Sequence, residues 1–228
     1  GCGVITWDST WESEYREVHQ KAAVLYRKQA RFKLITTGRI SQKSLLFEDQ
    51  HLERLTKASR YFAYPFDPEN LRQKIEKECQ ACDFQQDYRL RIILSKSGEM
   101  ELSRQILAPL SPSFCKAKLC LQEADLNQSF TYFKTTHRPH LSLGEQEKIY
   151  HNKSGELLET SIGNLVLRIN GKLYTPPISL GILPGIYRQH LLETGQVEEK
   201  VLTVPDLDQA ETIYGCNAVR GLYELEVI

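Results

Sequence analysis

The sequence has 228 residues, with 29 basic side chains against 29 acidic ones and 41% hydrophobic residues. That length supplies core for one large domain or two modest ones. The balanced charge excludes a basic surface built for nucleic acid or anionic lipid. No apolar stretch reads as a membrane span or a signal peptide, and six cysteines fit reduced thiols, so the cytoplasm is the expected compartment.

A chain that begins at Gly1 and holds Met100 as its single methionine is expected to be a piece of a longer precursor or a trimmed form. Gly1–Thr6 reads as a short strand. Ser9 then reads as an N-cap, with Glu12 completing a capping box. Tyr15, Val18, Ala22 and Leu25 give one apolar helix face, and Glu17 with Lys21 forms an i, i+4 pair. Arg31–Ile40 and Lys43–Phe47 form a predicted strand pair turning at Ser41-Gln42. Arg39 on that hairpin either faces water or grips a substrate carboxylate bidentately. Asp49 is the expected cap of a helix that buries Leu52, Leu55, Ala58 and Phe62. By spacing alone Arg54 is a surface arginine of that helix.

Asp67-Pro68 reads as an N-cap followed by proline at the first helical position. The stripe behind it is Leu71, Ile75, Cys79 and Cys82. Cys79 and Cys82 stand at the far end of that helix, where two packed side chains are expected and no metal or redox pair. Tyr88–Leu94 alternates as a half-buried strand, Lys96–Gly98 turns, and a partner strand ends near Leu107. Pro109–Ser113 is linker-like and marks the predicted domain boundary.

Lys116–Leu121 opens the second half. The aromatic, β-branched run Phe130–Phe133 then reads as a strand that ends at Lys134. Asn170-Gly171 between Leu165–Ile169 and Leu173–Thr175 is a hairpin signal. Leu183-Pro184-Gly185 leads into a helix over Ile186–Glu193, stopped by Thr194-Gly195. Val197–Leu202, Pro205–Ala210 and Glu211–Tyr214 read as strand, helix and strand, and a last strand ends at Ile228.

Three stretches combine into a chemistry. Lys134 offers an amine, Glu159 in Gly155–Asn164 a carboxylate, and the start of the Ile186 helix an anion-binding terminus. Taken alone, Lys134 is a solvated lysine, Glu159 a loop glutamate and Leu183 a core leucine. Together they are the parts a pyridoxal phosphate enzyme needs. His137, in a turn beside the lysine, is expected to be solvated and is given no step.

The order and wording of these stretches, from about Ala30 to the C-terminus, resemble the class IV aminotransferases, the fold type IV pyridoxal phosphate enzymes. The resemblance implies an α/β (α+β type) chain with the two-domain D-amino acid aminotransferase-like fold. Its expected parts are a small α/β domain over residues 29–110, a linker at 111–115 and a larger, mostly β cofactor-binding domain over 116–228. By the same resemblance Lys134 is the lysine that carries pyridoxal 5'-phosphate and Glu159 faces the pyridine nitrogen. Arg54, the amides of Ile186 and Tyr187, and Asn217 hold the phosphate, Leu183 packs on the ring, and no metal is involved. A homodimer with a small-molecule substrate is implied.

Within the family the wording is similar to the lyases that convert 4-amino-4-deoxychorismate to 4-aminobenzoate and pyruvate, a step towards folate. Branched-chain or D-amino acid transamination is the alternative, and a non-catalytic module that keeps the fold is the last. Residues 1–28 resemble the end of chorismate-utilising synthases, which implies a fusion with such a synthase. Glu14 and Glu17 are expected to be catalytically silent without the rest of that domain.

Overall fold

The computed structural model describes residues 10–12, 14–15, 31–122, 129–141, 144 and 146–228. The chain divides into Gly1–Arg31 and Phe32–Ile228. In the first unit the Glu14 amide donates to the Thr10 carbonyl (3.0 Å), and the Trp11 and Tyr15 rings lie 5.0 Å apart, as on one helical turn. The expected Ser9 cap, the stripe beyond Tyr15 and the Glu17–Lys21 pair lie outside the described residues.

The second unit begins with a four-stranded antiparallel sheet. Strands β1 (Leu34–Ser41), β2 (Ser44–Leu45), β3 (Tyr88–Leu94) and β4 (Met100–Ile106) lie in the order β2-β1-β3-β4. Leu34, Thr36 and Ile40 of β1 and Leu90, Ile92 and Leu94 of β3 point to one face. Helices α1 (Glu48–Phe62) and α2 (Pro68–Gln80) cover that face and bury Leu52, Leu55, Leu71 and Ile75 against it. Four such side chains contribute roughly 6–12 kcal/mol of apolar transfer free energy before entropy is counted.

Several local expectations change here. The β1–β2 turn is Gln42-Lys43 and not Ser41-Gln42, because both residues take positive φ (49° and 60°), the conformation a tight hairpin turn requires. Asp49 does not cap α1. Phe47 occupies the cap position in a left-handed conformation with no side-chain hydrogen bond, while Asp49 and Glu48 bind Arg72 of α2. Asp67 does cap α2, accepting from the amides of Glu69 and Asn70. Burial pushes the Cys79 thiol up to about 11, which suits a packed side chain and not a reactive thiolate.

The rest of the second unit is mostly β. The further strands are β5 (Lys116–Leu121), β6 (Glu147–His151), β7 (Leu157–Thr160), β8 (Asn164–Ile169), β9 (Lys172–Thr175), β10 (Glu198–Glu199), β11 (Thr212–Asn217) and β12 (Gly221–Val227). Their order is β10-β9-β8-β11-β12-β5-β6-β7, and β7 also pairs with β8 through Glu159 and Asn164. That last pairing closes six strands into a ring around Ala117, Ile149, Leu157, Leu165, Leu167 and Leu225. Asn170 and Gly171 turn β8 into β9 with φ of 51° and 74°, as their side chains allow. Helices α3 (Ser129–Tyr132), α4 (Ile186–Glu193) and α5 (Val204–Gln209) and a 3-10 turn at Ile178–Leu180 complete the described elements.

Two further expectations are corrected. The run before Lys134 is the short helix α3 and not a strand, since its aromatic rings pack on α1 where no sheet neighbour is available. Of Val197–Leu202 only Glu198–Glu199 pairs as a strand, on the edge beside β9.

Candidate active site

Lys134 is placed by the small sheet. Its carbonyl accepts from the Ile35 amide (3.0 Å), and the Thr136 amide donates to the Lys33 carbonyl (2.9 Å). Leu34 and Thr135 therefore pair as antiparallel neighbours, so this segment extends β1 on its open edge. The preceding aromatics anchor it: Phe130 contacts Phe32 and Phe62, and Phe133 contacts Tyr61 and Phe62, with centroids 4.6–6.0 Å apart. Lys134 itself is half-buried. Its amine is pulled down to about 7, first by burial and then by the Arg54 and Arg138 guanidiniums, against the pull of Glu159.

Glu159 stands at the β7–β8 seam, 3% exposed. Burial drives its carboxyl up to about 7, opposed chiefly by Arg138 and next by the Leu183 amide. Arg138 lies 3.6 Å from a Glu159 oxygen and keeps its Nε buried without a hydrogen-bond partner. The residue paired with Glu159, Asn164, donates to the Leu183 carbonyl (2.8 Å). The seam thus holds the Leu183–Gly185 turn against the carboxylate. Glu156 is elsewhere, accepting from Asn152 (2.6 Å) outside the seam.

That turn presents the N-terminus of α4, where Ile186 and Tyr187 carry first-turn amides that a helix cannot pair internally. Arg54, on α1, reaches across to donate to the Pro184 carbonyl (2.7 Å). Its guanidinium is lowered to about 10 by burial and then by Arg138. Asn217 uses its carbonyl oxygen to accept from the Val219 and Arg220 amides (3.0 Å each), and its NH2 donates to the Ile162 carbonyl (3.5 Å). Leu183 and Ile186 are buried, and Tyr187 stacks edge-on with Phe47.

Arg39 stands on β1 and pairs with Asp87. His137 is half-buried, its ring 5.0 Å from Phe130. Two site residues escape sequence reasoning. Arg138, four residues beyond Lys134, looks like an ordinary turn arginine until the fold brings it onto Glu159. His51 is buried and bonded to Thr36 (2.6 Å), with its pKa lowered to about 3 by burial first and then Arg54, so it is a neutral spacer between α1 and β1.

A lysine poised near neutral pH, a buried carboxylate and an arginine beside an open helix terminus form the donor set that a phosphorylated pyridine aldehyde requires. The groups present therefore fit pyridoxal phosphate.

The Amino-transferase class IV pattern matches residues 33–228. The chain is 28% identical over 189 residues to the aminodeoxychorismate lyase of Saccharomyces cerevisiae, covering 60% of this chain and 50% of that protein. Its fold is similar to that of a Mesorhizobium loti protein provisionally named an amino-acid aminotransferase (TM-score 0.77, 27% identity, 86% of this chain and 100% of that one). It is also similar to a Haemophilus somnus 129pt protein provisionally named a 4-amino-4-deoxychorismate lyase (TM-score 0.68, 25% identity, 85% and 100%). The chain spans 61% and 50% of the length of two curated relatives that it matches. This chain belongs to the class IV aminotransferase family, whose members are pyridoxal phosphate-dependent.

Proposed function

We propose that the chain is a lyase that converts 4-amino-4-deoxychorismate to 4-aminobenzoate and pyruvate. The observation that carries the reading is the convergence of Lys134, Glu159 and the α4 terminus across the two sheets, together with the yeast and H. somnus relatives. Arg54, the Ile186 and Tyr187 amides and Asn217 would hold the phosphate, Leu183 would pack on the ring, and Glu159 would face the ring nitrogen. When bound, pyridoxal phosphate withdraws electrons from the carbon that carries the substrate amine.

Lys134 anchors the cofactor, and with an amine near 7 it can also take the proton from that carbon at neutral pH. Loss of the enolpyruvyl group then aromatises the ring, and the protonated Lys134 returns a proton to the methylene carbon of the departing pyruvate. Arg138 opposes the burial that neutralises Glu159, and the charged carboxylate would favour a protonated ring nitrogen. Arg39 is proposed to contact a substrate carboxylate. A homodimer, and a chorismate-utilising synthase fused ahead of this chain, belong to the same proposal.

Protein saturated with pyridoxal phosphate should show a visible absorbance band that borohydride removes and that Lys134→Ala lacks. Conversion of 4-amino-4-deoxychorismate should fall at least about a thousandfold in that variant, the range seen when an acid–base group that is also a covalent anchor is lost. The likeness to the M. loti protein favours transamination as the second reading. Brisk amino-group exchange between an amino acid and a keto acid, with no 4-aminobenzoate formed, would sink the lyase.

A further inference from the structure

Glu147 is a buried carboxyl that the chemistry proposed above does not use. It is the first residue of β6, fully buried and in register with Ala117 of β5. Its Oε2 accepts from the Tyr223 hydroxyl of β12 (3.3 Å). Tyr223 is buried too, inside the ring of strands with Ala117 and Leu225. Burial pushes the Glu147 carboxyl up, opposed chiefly by the nearby Ser161 hydroxyl. A phenol and a carboxyl in an apolar core cost free energy that apolar side chains of the same size would not. Sequences depart from an apolar core chiefly where a site requires it.

What the pair touches is the turn of residues 160–163, which joins Glu159 to Asn164. A Cβ on Gly163 would stand 3.1 Å from the Tyr223 Oη, and one on Gly215, the β11 partner of Tyr223, would stand 2.4 Å from its Cζ. The ring is thus pressed on β11 with its hydroxyl at the turn. Two other strands hold the same turn. The Ser161 amide donates to the Lys148 carbonyl, and the Ser161 hydroxyl accepts from the Lys148 amide (3.1 Å each). The Ile162 carbonyl accepts from Asn217 of β11 (3.5 Å). Within the turn the Thr160 amide donates to the Gly163 carbonyl (2.9 Å), and the Gly163 amide donates to the Thr160 hydroxyl (3.0 Å). A turn closed in this way moves as one piece. A shift at Gly163 therefore reaches Glu159, whose pairing with Asn164 is the one register contact of β7 with β8.

We infer that Glu147 and Tyr223 are positioning residues: by keeping the Tyr223 hydroxyl paired, the Glu147 carboxyl holds the 160–163 turn, and with it Glu159, in place. This rests on the reading that Glu159 is the acid facing the cofactor ring. Without an acceptor at position 147 the hydroxyl is left buried and unpaired. The polar atoms of the turn are then its nearest recourse, and the Thr160 hydroxyl already lies close enough to counter the burial of the phenol. Reaching for them displaces the turn and lets water approach Glu159. Removing both partners removes that pull, because two apolar groups of like shape leave nothing unpaired.

The test is infrared titration of the Glu159 carboxyl in the cofactor-free protein, each variant being read as a difference against the same variant carrying Glu159→Gln. Arg138 and Lys134, the charged groups that act on Glu159, are the same in every variant. Glu147→Met should lower the midpoint by about one pH unit, since burial is the largest influence holding it up. Glu147→Gln keeps an acceptor for the hydroxyl and should keep the wild-type midpoint. Glu147→Met combined with Tyr223→Phe should return to it as well. Ile75→Val, in the core beneath α2, lowers the melting temperature without touching the turn and should leave the midpoint alone. A general loosening would lower the midpoint in the double variant as much as in Glu147→Met. That result, or an unchanged midpoint in Glu147→Met, overturns the inference. If Glu147→Met is too unstable to titrate, the double variant decides: a wild-type midpoint supports the pairing, and a lowered one overturns it. Turnover is scored separately. Midpoints that move as expected, with Glu159→Gln cleaving 4-amino-4-deoxychorismate at the wild-type rate, support the positioning and sink the role given to Glu159.

Discussion

Lys134 and Glu159 move towards one another in pKa for the same reason. Burial disfavours whichever form is charged, so the amine falls and the carboxyl rises, both to about 7. The lysine consequence has a definite sign. Its folded pKa lies below the ordinary 10.5, so between about 7 and 10.5 the unfolded chain binds the extra proton and stability rises with pH. Lys134→Met should therefore stabilise the cofactor-free protein below pH 7 and flatten that rise, by a few kcal/mol at most. Urea unfolding across the pH range measures it, and an unchanged slope would contradict the assignment. Arg138 acts on Glu159 in the opposite direction to burial. Arg138→Met should raise the carboxyl further, so that the infrared band of the protonated acid persists to higher pH and vanishes in Glu159→Gln.

The turn from Leu183 to Gly185 ties the seam to the start of α4. A Cβ on Gly185 would stand 1.9 Å from the Asn164 Oδ1, and Asn164 already holds the Leu183 carbonyl. With φ at −69° the backbone is ordinary for any residue, so glycine is required here by close approach and not by conformation. Gly185→Ala should cost about 1–3 kcal/mol of stability and weaken pyridoxal phosphate binding, because relief of the clash displaces the first-turn amides. Thermal unfolding and cofactor titration report the two effects separately. Elsewhere, local chemistry was readable wherever a residue acts on its own neighbours. Asp67-Pro68 caps α2, and Asn170-Gly171 turns the hairpin as their side chains dictate. It misled at Asp49, where Glu48 and Asp49 serve Arg72 from another helix, and at Phe130–Phe133, whose rings pack on α1.

Ring closure makes the larger part of the molecule depend on its last strand. β12 pairs antiparallel with β11 and parallel with β5, so it joins the two arcs that the single Glu159–Asn164 pair closes on the other side. Removing residues 221–228 would leave that one pair to hold β5-β6-β7 against β8 and β11. The shortened chain should lose cooperative unfolding and cofactor binding together, as calorimetry and absorbance would show. Retention of both would mean that the seam alone holds the carboxylate in place.

The periodicities, caps and hairpin residues of the chain carry most of its strands and helices, since these depend on contacts a few residues apart. The lysine, the acid and the helix terminus became candidates only through the order and wording of their stretches, since each taken alone reads as an ordinary residue. Tertiary structure decided the rest. It set Arg138 on Glu159, brought Arg54 of α1 to the Pro184 carbonyl 130 residues on, and joined Tyr223 to Glu147. Charges attract and repel by distance in space, and burial is fixed only once the chain has folded, so neither a pKa near 7 nor a buried tyrosine–glutamate pair can be read from spacing along the chain.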